Sequence, residues 1–248
     1  MSPPTFLVDP EVLVDAQIGG TFVLDGSEGH HAVTVQRLRV GEQLDVVDGF
    51  GRRVRARIAE PIDKSACAAA VIEITDEPDP HPLITTVQAV AKGDRGERAV
   101  QMLTEAGVDV VIPWQAENCI ATWQGERAIK HRAKWQSTAK EAGKQSRRAR
   151  LPVIEPIVST AAVVDLIANT DVALVLDERS QVPLTSIDIS SVGDLVLVVG
   201  PEGGLSDTER TVFAEAGADL VRLGPTVLRT STAGVAALGV VMARVGRW

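Results

Sequence analysis

The hydrophobic positions of this chain change rhythm once. Up to about residue 76 they come in short runs, "TFVLDG", "GEQLDVVDG", "RRVRARIAE" and "AAAVIEIT", punctuated by Gly, Asp and Pro. Such runs predict short strands, with turns at Asp25-Gly26 and Asp48-Gly49 between them. The set predicts a small β-barrel over residues 1–76. "EPDPHPL", residues 77–83, holds three prolines in seven residues and predicts a linker that neither sheet nor helix can run through. Beyond it, apolar runs at 84–91, 108–112, 172–176, 195–199 and 220–223 alternate with helical stretches at 95–106, 126–146, 161–169, 207–216 and 232–244. Buried strands alternating with helices predict an α/β domain over 84–248 with a parallel sheet covered on both faces. In such sheets ligands sit at the carboxyl ends of the strands.

Composition narrows the classes. With 45% hydrophobic residues but only four Phe, four Trp and no Tyr, the cores must be built from Val, Leu, Ile and Ala. Cys67 and Cys119 lie far apart and outside any CxxC or Cys/His pattern, so neither a disulfide scaffold nor a metal site is expected. A reducing cytoplasm fits. "MSPPTFLVDP" has no basic n-region and no apolar h-region, and the longest nearly apolar run, 233–243, is too short to span a bilayer. The expectation is a soluble cytoplasmic protein with no membrane partner.

A net charge of −8 and a pI near 5.1 speak against nucleic acid until the distribution is considered. Residues 127–150 carry nine Lys or Arg and one acid, Glu141, giving +8 there and −16 elsewhere. Screening makes charges beyond about 10 Å count little, so a basic stripe on an acidic body can bind phosphates. A solvated helix face is the plain alternative.

The most informative stretch is "LVLVVGPEGGLSDTE", residues 195–209. A buried strand ends in a loop almost without side chains, and Ser206 to Glu209 forms a capping-box sequence that starts a helix at once. Gly200, Gly203 and Gly204 free the backbone for a tight turn or for close approach by a ligand. Neither GxGxxG nor GK[ST] is present, so a dinucleotide fold and a P-loop are both unsupported. "LVRLGPTVLRTSTAGVAALGVV", residues 220–241, repeats the logic: a strand, a Gly224-Pro225 break, a polar cap at Thr230, Ser231 and Thr232, and a helix of small residues.

"GPEGGLSDTE" followed by "LGPTVLRTSTA" resembles the paired loops of the SPOUT class of knotted RNA methyltransferases, and the RsmE family most closely. That family methylates N3 of a decoding-centre uridine in 16S ribosomal RNA. "GHHAVTVQRLRVGEQLDVVDGFG" is similar to its PUA-like N-terminal barrel, "AKGDRGERAVQMLTEAGV" to its first knotted-domain strand and helix, and "EAGKQSRRARLP" to its E-A-x-x-Q-S-x-R signature. The resemblance spans nearly the whole chain, in order. It implies a C-terminal parallel sheet with a deep trefoil knot, a homodimer packed through the small-residue helix, and S-adenosylmethionine (SAM) bent between the two loops. Leu176, Gly200, Glu202, Gly203, Leu223, Gly224, Leu228 and Thr230 are the residues it assigns to the cofactor. On this reading side chains at Gly200, Gly203 and Gly224 would occupy the cofactor's place, and Leu223 and Leu228 sandwich the adenine.

The implied chemistry sets requirements. A uracil N3 carries a proton at neutral pH, so a base must take it or a cation must stabilise the charge developing on the neighbouring carbonyl oxygens. N3 lies on the Watson–Crick edge, so the base must be unpaired or flipped out. Arg229 is the candidate for the cationic catalytic role. The family commonly has Glu where this chain has Ser231, and often Lys where it has Met102, so no general base is named by the sequence. RNA contacts are expected from Arg37, Arg39 and Arg53 on the barrel, with Arg52, Arg55 and Arg57 beside them, and from Lys92, Arg95, Arg147 and Arg148 near the loops. Alternation at 53, 55 and 57 puts three guanidinium groups on one strand face. His30 and His31, adjacent on an expected strand, point to opposite faces and read as structural. The alternatives are another SPOUT activity such as ribose 2′-O-methylation, or a non-catalytic 30S assembly factor.

Overall fold

The structure, a computed structural model, describes residues 3–190 and 192–248. The chain forms two compact bodies: residues 1–79 with 143–151, and residues 80–142 with 152–248. The first break falls inside the expected linker. The second was not legible in the sequence, because the end of a long helix and the "SRRARL" that follows belong to the first body.

In the first body, β1 (Thr5–Leu7), β2 (Thr21–Leu24), β3 (Gln43–Val47), β4 (Arg52–Pro61) and β5 (Cys67–Asp76) form one sheet in the order β1-β3-β4-β5-β2. The β3–β4, β4–β5 and β2–β5 pairs are antiparallel, and β1 lies parallel to β3. The sheet ends on β1 and β2, which do not pair among the described residues, so the expected barrel is a five-stranded sheet. Along β4 the predicted alternation holds. Val54, Ala56 and Ile58 are buried with Phe6, Leu24 and Leu44, while Arg53, Arg55 and Arg57 take the other face. Two short helices were not foreseen, α1 (Pro10–Leu13) and α2 (Gly26–His30), the latter running into a π-helical turn at His31–Val35. His30 and His31 are therefore helical, not on a strand. His30 is exposed, and the His31 ring meets Phe6 edge-on at 5.7 Å.

The second body holds a six-stranded parallel sheet in the order β11-β9-β10-β6-β7-β8, from β6 (Leu83–Ala89), β7 (Val110–Trp114), β8 (Val153–Ile154), β9 (Val172–Leu176), β10 (Asp194–Val199) and β11 (Asp219–Val221). Its helices are α3 (Arg95–Ala106), most of α4 (Glu126–Gln145), α5 (Thr160–Ala168), α6 (Asp207–Glu215) and α7 (Thr230–Arg244). Successive residues of β10 serve opposite faces. Leu195, Leu197 and Val199 pack with α3 and α7, whereas Val196 and Val198 pack with Val163 of α5 and Phe213 of α6. A strand buried on both sides reads as an unbroken apolar run, and that is what "LVLVV" is.

Helix α7 begins at Thr230, two residues before the expected start, with Arg229 at its N-cap and no side-chain cap bond. Its small residues have a first use inside this body. Gly234, Ala237 and Leu238 are buried, and a Cβ on Gly234 would lie 3.2 Å from Val199 Cγ2. Ala236 and Ala243 remain exposed.

Candidate functional site

The carboxyl ends of β9, β10 and β11 open into a cavity of about 400 Å3. Its walls are residues 176–178, 199–205 except Gly203, and 221–230, with Arg95 and Ala233 completing it. The two loops singled out in the sequence thus face one space.

The glycine loop is fixed from several sides. The capping box is formed: Ser206 Oγ accepts from Glu209 N at 3.1 Å, and Glu209 Oε2 from Ser206 N at 3.0 Å. Glu209, buried at 2% exposure, also accepts from Glu117 N at 2.8 Å through Oε1. Gly204 adopts φ +71°, a conformation that costs a side-chain-bearing residue. Its carbonyl accepts from Asn118 Nδ2 at 3.1 Å.

Glu202 turns back onto its own scaffold. Its Oε1 accepts from Arg95 Nη1 at 2.9 Å and from Lys92 N at 3.1 Å. Burial works against its ionisation. The bonds from Arg95 and from the backbone outweigh that and hold the carboxyl below the usual glutamate range. Its Oε2 is buried with no hydrogen-bond partner among the described residues.

Thr230 joins the loops. Its hydroxyl donates to Gly200 O at 2.8 Å and accepts from Gln88 Nε2 at 2.9 Å. Leu176, Gly200, Glu202, Leu223, Gly224, Leu228 and Thr230 all line the cavity. Gly203 does not. A Cβ there would come within 2.9 Å of Asn118 Cβ and 3.0 Å of Asn118 O, so glycine at 203 makes room for Asn118. At Gly200 a Cβ would meet Leu205 Cδ2 at 3.2 Å, whereas at Gly224 nothing lies within 4 Å. Arg229 is exposed at the cavity wall, and its guanidinium has no ion-pair or hydrogen-bond partner among the described residues. Ser231, at 7% exposure, is buried in the first turn of α7.

Three charged residues of the wall were missed. Asp177 and Glu178 directly follow β9, and Arg222 follows β11. The signal was available, since polar residues at the carboxyl end of a buried strand are placed where ligands bind. Asp177 is neutralised by Arg210 Nη1 at 2.9 Å.

The basic residues divide. Lys92 and Arg95 belong to the second body, Arg147 and Arg148 to the first. Arg55 is held bidentately by Asp45 at 2.9 and 3.2 Å, and Arg53 spans Asp45, Glu77 and the carbonyl of Arg147. Lys144 is taken up by Glu28 at 2.8 Å, and Arg150 by Asp79 and Glu77 O. Lys144 and Arg150 of the basic run are therefore structural. Arg37, Arg39, Arg57 and Arg147 are exposed, Arg37 and Arg147 with left-handed backbones at φ +56° and +58°.

Among the described residues no helix is long and apolar enough to cross a membrane, and no cluster of His, Cys, Asp and Glu could hold a metal ion.

Residues 78–242 match an RNA methyltransferase domain, and residues 24–72 an RNA methyltransferase PUA domain. A protein of Mycobacterium tuberculosis named ribosomal RNA small subunit methyltransferase E is 42% identical over 93% of this chain and 89% of its own length. A Bacillus subtilis protein of the same name is 31% identical over 89% of each chain. The crystal structure of the Neisseria gonorrhoeae protein of that name, bound to S-adenosyl methionine, superposes with a TM-score of 0.84 at 29% identity, covering 98% of both chains.

Proposed function

We propose, since this chain belongs to the RNA methyltransferase family with an attached PUA domain, that it is a SAM-dependent methyltransferase of small-subunit ribosomal RNA, acting on N3 of a uridine near the decoding centre of the 16S RNA. The observation that carries the reading is the cavity at the carboxyl ends of β9, β10 and β11, walled by the two glycine-containing loops, in a family whose Neisseria relative binds that donor.

The residues present suit the donor. Leu176, Leu223 and Leu228 give the cavity an apolar wall for a purine. Gly224 leaves open space where any side chain would project, and Glu202 Oε2 is a buried acceptor without a partner among the described residues. When bound, SAM supplies an electrophilic methyl group on a sulfonium. The protein's own contribution is positioning and charge. Arg229, a cation on the cavity wall, stabilises the negative charge that spreads onto the uracil carbonyl oxygens as N3 loses its proton. Ser231 cannot take that proton as a carboxylate would, so the base is outside the α7 start or is solvent.

RNA is held by the exposed arginines Arg37, Arg39, Arg57 and Arg147 and by Lys92, through phosphate contacts whose affinity falls steeply with salt. The second body is threaded as a trefoil knot, and the exposed small residues of α7, Ala236 and Ala243, pack against a second copy. The RsmE-like order of segments supports both.

The test is incubation with labelled SAM and unmodified 30S subunits, followed by nucleoside mass spectrometry. A single 3-methyluridine supports the reading in full. A 2′-O-methyl product overturns the target atom, and 30S retention without transfer turns the protein into an assembly factor.

A further inference from the structure

Gln88 is polar and fully buried near the end of β6. Its Nε2 donates to Thr230 Oγ1 at 2.9 Å and to Ala89 O at 3.2 Å, and Thr230 Oγ1 donates to Gly200 O at 2.8 Å. The direction of this relay is forced. Carbonyl oxygens only accept, and the single hydroxyl proton of Thr230 is used on Gly200, so the hydroxyl must accept from the amide of Gln88. That leaves Gln88 Oε1 buried with no partner among the described residues. A buried acceptor without a partner costs stability, and an apolar side chain would avoid the cost. The amide therefore serves something that packing alone does not require. Gln88 does not line the cavity, but Thr230 and Gly200 do, one on each wall.

We propose that Gln88 is a positioning residue. Through Thr230 it ties the first turn of α7 and the carbonyl of Gly200 to β6, and so sets the spacing between the two loops that the methyl donor enters. The role toward the donor rests on the function proposed above; the tie between the loops does not.

The variants Gln88→Met and Thr230→Val break the relay at its first and its middle member with little change of volume. Hydrogen exchange of residues 200–205 and 224–230 is measured in ligand-free protein, SAM affinity by calorimetry, and melting temperature alongside. Either variant is expected to speed exchange in both segments and to weaken SAM about 10-fold, the scale of one lost buried hydrogen bond. The double variant is expected to be no weaker than Thr230→Val alone, because both residues act in one chain of bonds. Wild-type exchange in both segments together with wild-type affinity, at any melting temperature, overturns the proposal. So do losses that multiply in full in the double variant. If the wild-type protein binds no SAM, the functional reading fails, and exchange in the two segments still decides the relay.

Discussion

Asn118 stands directly against Gly203: a Cβ on Gly203 would be 2.9 Å from Asn118 Cβ and 3.0 Å from its carbonyl oxygen. The loop after β7 thus packs on the glycine loop, and Asn118 also donates to Gly204 O. Glycine at 203 and glycine at 224 are consequently different in kind. Gly203→Ala forces a backbone to move and is expected to destabilise the fold by about 1–3 kcal/mol, read as a lower melting temperature. Gly224→Val meets nothing within 4 Å, so it should melt like the wild type while losing SAM affinity at least about 10-fold. Equal melting temperatures for the two variants would sink the distinction.

Arg229→Ala removes a guanidinium that has no partner among the described residues, so stability should change little, within about 0.5 kcal/mol. Methyl transfer should fall by about 100-fold or more, the scale of removing one group that stabilises transition-state charge, with SAM affinity nearly unchanged. Lost SAM binding in calorimetry would instead make Arg229 a cofactor residue.

The Glu202 carboxyl is held below its ordinary range by Arg95 and backbone donors that outweigh its burial. Its contribution to stability is therefore complete above the unfolded glutamate pKa, about 4.3, and is lost as the pH falls through the lower folded value. Urea titrations of Glu202→Gln and wild type should show the variant weaker at pH 7, with the gap closing on acidification. A gap independent of pH would remove ionisation from the explanation.

Neither thiol should be reactive in the native state. Burial, the largest cause, pushes Cys119 up to about 11, with the Glu209 and Glu202 charges adding to it; burial also raises Cys67. Iodoacetamide at pH 8 is expected to leave both unmodified in the folded protein and to label both in denaturant, as mapped by mass spectrometry. Rapid native labelling of Cys119 would mean that its loop opens.

Arg55 and Arg57 share a strand face but not a role. Arg55 is clamped on Asp45, itself buried at 3% exposure, so Arg55→Ala should cost stability by removing both hydrogen bonds to that carboxylate and leaving it only the 3.6 Å pairing with Arg53. Arg57 is exposed, and Arg57→Ala should leave the melting temperature alone while weakening 30S binding and shrinking its salt dependence. Filter binding across a salt series separates the two.

The elements of the second body were legible because each announces itself locally. "LVLVV" is apolar throughout since both faces of β10 are covered, and Ser206 with Glu209 marks the start of α6 by satisfying backbone groups only a few residues away. The two loops were legible for the same reason: glycine and proline punctuate the ends of apolar runs. The polar trio at 230–232 was misread as a cap because Thr230 spends its hydroxyl on Gly200, thirty residues earlier in the chain.

What the sequence by itself determined is this alternation of elements, the two loops and the basic run, all set by periodicity and near-neighbour chemistry. Only the tertiary structure decided which glycine faces open space on the cavity wall and which makes room for Asn118, which arginines are taken up by Asp45 and Glu202, and what the buried amide of Gln88 bonds to. Those outcomes depend on partners from about ten to more than a hundred residues away along the chain, and no local pattern records the close approach of such segments.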